Sequence, residues 1–149
     1  MEFFQNVDLS FEQVQCLTRG LHLLAETDGM HTREETLIRE FYDACRPAGS
    51  KSYEDTVKTA FTLDDALEQL KSPELRRLFI KTAWLLAFAD GKVTGPERDK
   101  ISEFSKALHV SDADSLELQA QVKEFLLGKL THIKNSAALA DVAKAMKVL

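Results

Sequence analysis

The sequence predicts an all-α fold: a single-domain helical bundle of about seven to eight helices, built from two duplicated helix–Asp-Gly loop–helix units. Three observations carry this. Apolar residues recur at helical spacing in one segment after another, and no run alternates at period two for long enough to make a strand. Serine, threonine or proline opens most of these segments, as helix N-termini require. One pattern also occurs twice. Leu23-Leu24-Ala25-Glu26-Thr27-Asp28-Gly29 and Leu85-Leu86-Ala87-Phe88-Ala89-Asp90-Gly91 each run an apolar helix into Asp-Gly, and each is followed by threonine and glutamate. The chain, 1–149, reads as one domain with internal repeats over about 11–46 and 73–109.

Ser10 is the expected N-cap of a helix over roughly 11–27, whose stripe is Phe11, Val14, Leu17, Leu21, Leu24 and Ala25. Gly20 inside it costs about 1 kcal/mol against alanine, which a close helix crossing would justify. Asp28-Gly29 ends the helix, with the glycine suited to the left-handed position beyond a helix C-terminus. Thr32 with Glu35 reads as a capping box for the next helix, whose face is Leu37, Ile38, Phe41, Ala44 and Cys45 and which stops before Pro47-Ala48-Gly49-Ser50.

Two short helices are expected over 53–61 and 63–70, with Thr62 capping the second. Tyr53-Glu54-Asp55 belongs to a solvated face. Ser72-Pro73-Glu74 opens the next helix with a cap, a proline in the first turn and an acid at the positive end of the dipole. Its apolar arc is broad (Leu75, Leu78, Phe79, Ala83, Leu85, Leu86, Ala89), so it is the expected central helix, with Trp84 packed in the core. After the second Asp-Gly, Thr94 and Glu97 form a capping box for a helix bearing Ile101, Phe104, Ala107 and Leu108. Ser111 caps a further helix with Leu116, Leu118, Val122, Phe125, Leu126 and Leu130. Asn135 or Ser136 starts a last short one.

Composition excludes several classes. The net charge of −5 and pI near 5.4 argue against a nucleic-acid binder. No apolar run approaches the roughly 20 residues of a membrane span, and the N-terminus has neither the basic nor the apolar region of a signal peptide. Cys16 and Cys45 sit among apolar neighbours and are expected as core thiols in a reducing compartment. A cytoplasmic location follows. HExxH, CxxC, P-loop and GxSxG motifs are all absent.

Aligned on Asp-Gly, the first helices of the two copies match at an offset of 62, but Ile38 with Ile101 and Phe41 with Phe104 match at 63. A one-residue slip inside a helix would rotate its face by about 100°, so the slip belongs in the loop, and the first loop is one residue shorter. Either Glu34 or Glu35 is then the counterpart of Glu97. The pattern Phe88-Ala89-Asp90-Gly91-Lys92-Val93-Thr94-Gly95-Pro96-Glu97-Arg98-Asp99-Lys100-Ile101, followed by Ala107-Leu108-His109-Val110, resembles the TerB-like proteins. These are tellurite-resistance-associated helical domains related to the central region of the DjlA co-chaperones. The resemblance covers nearly the whole chain, since both copies take part; the first departs from it at Thr27, which stands where Ala89 stands.

A carboxylate at a helix C-terminus faces the negative end of the dipole, so Asp28 and Asp90 require compensation. One reading is structural: each aspartate folds over its loop and accepts backbone N–H bonds, and Glu97 serves only as the capping partner of Thr94. The other is a cation site of Asp28, Glu34 (or Glu35), Asp90 and Glu97, pooled if the two loops approach each other. Hard cations such as Ca²⁺ take such oxygens, and Zn²⁺ could add His31. The loop is not an EF-hand, because glycine directly follows the aspartate. The resemblance to TerB-like proteins also implies acidic metal-binding patches. The expected function is a non-enzymatic stress-response and interaction module, with a protein partner or a second copy of itself. It requires no cofactor, although a divalent cation, Ca²⁺ or Zn²⁺, fits the loops. The alternative is a metal-dependent enzyme using the clustered carboxylates, but no nucleophile or base stands in a recognisable setting.

Overall fold

The computed structural model describes residues 9–27, 29, 32–88 and 93–130. Among them are seven helices and no strand: α1 (Phe11–Glu26), α2 (Thr32–Cys45), α3 (Tyr53–Val57), α4 (Leu63–Gln69), α5 (Pro73–Phe88), α6 (Gly95–Ala107) and α7 (Asp112–Leu130). Side-chain caps start most of them. Ser10 and Gln13 make a reciprocal capping box on α1. The Thr62 hydroxyl accepts the Asp65 N–H on α4, Ser72 accepts that of Leu75 on α5, and Ser111 accepts that of Asp114 on α7. Each bond satisfies an N–H that the first turn leaves without an intrahelical partner.

The core lies where α1, α2, α5 and α6 meet. α1 packs against both α2 and α5, α5 against α6, and the crossing is reciprocal, with α1 also touching α6 and α2 touching α5. α3 and α4 lean on α1, while α7 lies along α5 and α6. As its broad apolar arc predicts, α5 is deeply buried from Leu78 to Phe88, Lys81 apart. Gly20 marks the α1–α5 crossing. A Cβ there would lie 2.6 Å from Phe79 Cζ and 3.0 Å from Phe61 Cε1, so only glycine lets the two helices meet over these rings. Phe61, Phe79 and Phe104 form one aromatic cluster, with centroids 5.4–5.8 Å apart.

Several expectations are corrected. α3 stops at Val57 instead of running to residue 61; the non-helical stretch after it delivers Phe61 into the ring cluster, and that burial outweighs another helical turn. Tyr53 is buried (5 % exposed), not on a solvated face: the Arg39 guanidinium lies 4.5 Å over its ring, and the His22 ring meets it edge-on at 6.1 Å. Thr32 is the first residue of α2, not its cap, so no Thr32–Glu35 capping box forms. Gly29 has φ +79°, as expected of a residue beyond a helix end. Gly91 and the short helix expected after Asn135 lie outside the described residues. α6 ends in a Schellman motif: the His109 N–H reaches Lys106 O at 3.2 Å, and the Val110 N–H reaches Ser105 O at 2.8 Å. This puts His109 at φ +61°, a conformation that favours glycine.

Candidate functional site: buried glutamates after the Asp-Gly loops

The third residue of α2 and the third of α6 are both glutamates, and both are buried: Glu34 is 1 % exposed and Glu97 is 5 %. Glu35 is not; its carboxylate reaches Arg39 along the outside of α2 at 3.1 Å. Burial therefore fixes the register that the sequence leaves open. Glu34 is the counterpart of Glu97 at an offset of 63, together with Ile38/Ile101 and Phe41/Phe104, all four of which are buried.

A buried carboxylate is costly unless its oxygens are satisfied. At Glu97, Oε1 accepts the Thr94 N–H and the Thr94 hydroxyl, both at 3.1 Å, while the Glu97 N–H donates back to Thr94 Oγ1 at 3.3 Å. This is the capping box read from the sequence, reinforced by Pro96 in the first turn. Glu97 Oε2 makes no hydrogen bond among the described residues. α2 has no threonine at the equivalent cap position. That position falls at residue 31, outside the described residues, as do Asp28 and Asp90.

The structure thus places two of the four predicted ligands, Glu34 and Glu97, at equivalent helix starts, and it does not describe the two aspartates. Among the described residues, no group of three or more His, Cys, Asp or Glu side chains is arranged to hold a metal ion. The main charge cluster lies instead on the outer side of the first unit, where Arg39 pairs with Glu35 and with Glu54 at 2.5 Å. The Arg39 hydrogen bond holds the Glu54 carboxyl below its usual range.

The sequence matches the family described as "Tellurite resistance protein TerB" over residues 18–120, well over half of the chain. The chain belongs to the TerB family. The match runs from within α1 into α7 and so takes in both Asp-Gly loops and both buried glutamates. No curated protein and no solved structure gives a significant match. No helix among the described residues is long and apolar enough to cross a membrane.

Proposed function

We propose that this TerB-family chain is a non-enzymatic interaction module whose Asp-Gly loops take up a divalent cation. Asp28, Glu34, Asp90 and Glu97 supply the carboxylates. The observation that carries this reading is the burial of Glu34 and Glu97 at the same point of two helix starts, each just after an Asp-Gly. Turn formation alone does not call for a buried carboxylate in both copies. Glu97 fits the role, because its capping bonds fall on Oε1 and leave Oε2 to accept a cation. An oxygen-rich set of this kind suits Ca²⁺ better than Zn²⁺. The bound ion would order the loops for a protein partner or a second copy of the chain. The family description suggests tellurite resistance as the setting; a stress response in the cytoplasm is part of the same proposal.

Calorimetric titration with Ca²⁺, Mg²⁺ and Zn²⁺ tests this on the wild-type chain and on Asp90→Asn and Glu34→Gln. Saturable heat is expected for the wild type and should be much reduced in Asp90→Asn at unchanged helix content. A bound ion should also stabilise the fold by about 2.7 kcal/mol at a hundredfold excess over Kd. Absence of saturable heat at millimolar cation would leave the acids as cap and turn formers only.

A further inference from the structure

With α2 and α6 in register at an offset of 63, one face of each helix differs sharply. Arg39 and Tyr42 of the first unit stand where Ser102 and Ser105 stand in the second. In the first unit these large side chains fill the space beside α3. The Tyr42 hydroxyl donates to Lys51 O at 2.5 Å and accepts from Thr56 Oγ1 at 2.8 Å, and its ring lies 6.4 Å from that of Tyr53. Arg39 covers the Tyr53 ring. In the second unit two serines replace the arginine and the tyrosine, α7 takes the place beside them, and a cleft of about 350 Å³ opens between α5, α6 and α7. Its size is at the lower end of small-molecule sites.

The cleft has an aromatic wall and hydrogen-bonding groups left over. Trp84 lines it, and its indole N–H donates to Ser115 Oγ at 3.1 Å. The Ser115 hydroxyl proton finds no acceptor among the described residues. One turn further along α7, Gln119 lines the same cleft at 9 % exposure, and its amide makes no hydrogen bond among the described residues. Its amide nitrogen and oxygen stay open to the cleft, so they can pair with a molecule that enters it. Leu116, 64 % exposed on the same helix, adds an apolar edge.

We propose that this cleft binds a phenol-type ring. The ring packs against Trp84 and Leu116, and its hydroxyl pairs with Gln119 and Ser115. The first unit holds such a ring internally, as Tyr42 with its hydroxyl doubly bonded; the second has no ring at the matching position of α6, and its cleft opens beside the half-buried Ser102. The ring belongs either to a tyrosyl side chain of a partner or to a small phenol. This site is separate from the Asp-Gly loops and does not depend on cation binding there.

Trp84 is the only tryptophan of the chain, so its indole N–H resonance reports on the cleft directly. The full chain is titrated with p-cresol and N-acetyltyrosinamide, and with their hydroxyl-free counterparts toluene and N-acetylphenylalaninamide. Saturable shifts of the indole signal are expected for the two phenols, with binding about tenfold weaker for the counterparts, which make no hydrogen bond to the Gln119 amide or the Ser115 hydroxyl. Tighter binding of N-acetyltyrosinamide than of p-cresol marks a peptide source, and the reverse marks a small molecule. Gln119→Leu should reduce the phenols to the level of their counterparts. Ser102→Phe, at a half-buried position of α6, should block all four probes. The proposal is overturned if the wild-type chain gives no saturable shift, if phenols and counterparts bind alike, or if the preference survives Gln119→Leu.

Discussion

The α1–α2 and α5–α6 units bury the same residues at corresponding points and differ in what leans on them. Leu24 and Ala25 of the first match Leu86 and Ala87 of the second, and Glu34, Ile38 and Phe41 match Glu97, Ile101 and Phe104; all ten are buried. Outside this frame the units diverge. The first is flanked by α3 and α4 and sealed by Arg39, Tyr42 and Tyr53. The second is flanked by α7, carries serines at two of those positions and keeps a cleft. Positions that set how the helices cross cannot change in one copy without repacking the shared core, whereas positions facing the flanking helices can follow whatever flank is present. The buried glutamates fall in the first class although they are polar, which sets them apart from ordinary surface acids.

The largest expected effect tests the crossing itself. Gly20 corresponds to Thr82 in α5, which holds a side chain, whereas a Cβ at Gly20 would lie 2.6 Å from Phe79 Cζ. Gly20→Ala should destabilise by about 1–3 kcal/mol through overpacking, despite alanine's better helix propensity. Chemical denaturation measures this, and an unchanged or raised midpoint would show that the ring cluster yields freely. A middle-sized effect separates the two helix starts. Thr94→Ala should cost about 0.5–2 kcal/mol by removing the cap of α6, while Thr32→Ala, inside the first turn of α2, should cost a few tenths at most. Equal thermal shifts for the two variants would mean that the starts are built alike after all. The smallest effect concerns the sealed flank. The Tyr53 hydroxyl is buried and has no hydrogen-bond partner among the described residues, and burial pushes its pKa up to about 12. Tyr53→Phe keeps the ring under Arg39 and removes an unsatisfied group, so stability should hold or rise by up to about 1 kcal/mol. A clear loss would mean that the hydroxyl is paired in solution.

Much of this architecture is legible in the sequence, because helix starts and apolar spacing are local signals. Ser10, Thr62, Ser72, Thr94 and Ser111 all sit where the helices begin. The failures arise where a distant contact outweighs the local signal. Thr56-Val57-Lys58 reads on as helix towards Phe61, yet the ring cluster around Phe79 draws Phe61 in and α3 ends early. Thr32 with Glu35 satisfies the spacing of a capping box, but consecutive glutamates make that spacing ambiguous, and it is the burial of Glu34 that selects the register. Tyr53 looks solvated beside Glu54 and Asp55 because a single turn of helix carries no periodicity to separate its inner from its outer face. The cleft depends on Ser102 and Ser105 being compared with Arg39 and Tyr42, and the two sets can be aligned only after the one-residue slip has been assigned to the loop.

Cys16 has a chemical consequence of its own. Its thiol is packed among the α1 core residues, and burial, followed by the nearby Asp65 charge, pushes its pKa up to about 12. The thiolate, the species that attacks electrophiles and oxidants, is therefore strongly disfavoured at pH 7. Burial at 1 % exposure also keeps reagents away from this sulfur in the folded chain. Alkylation at Cys16 therefore proceeds through openings that free α1, so its rate reads the population of those openings, as amide exchange does for the backbone. The chain thus carries a reporter of its own breathing on α1.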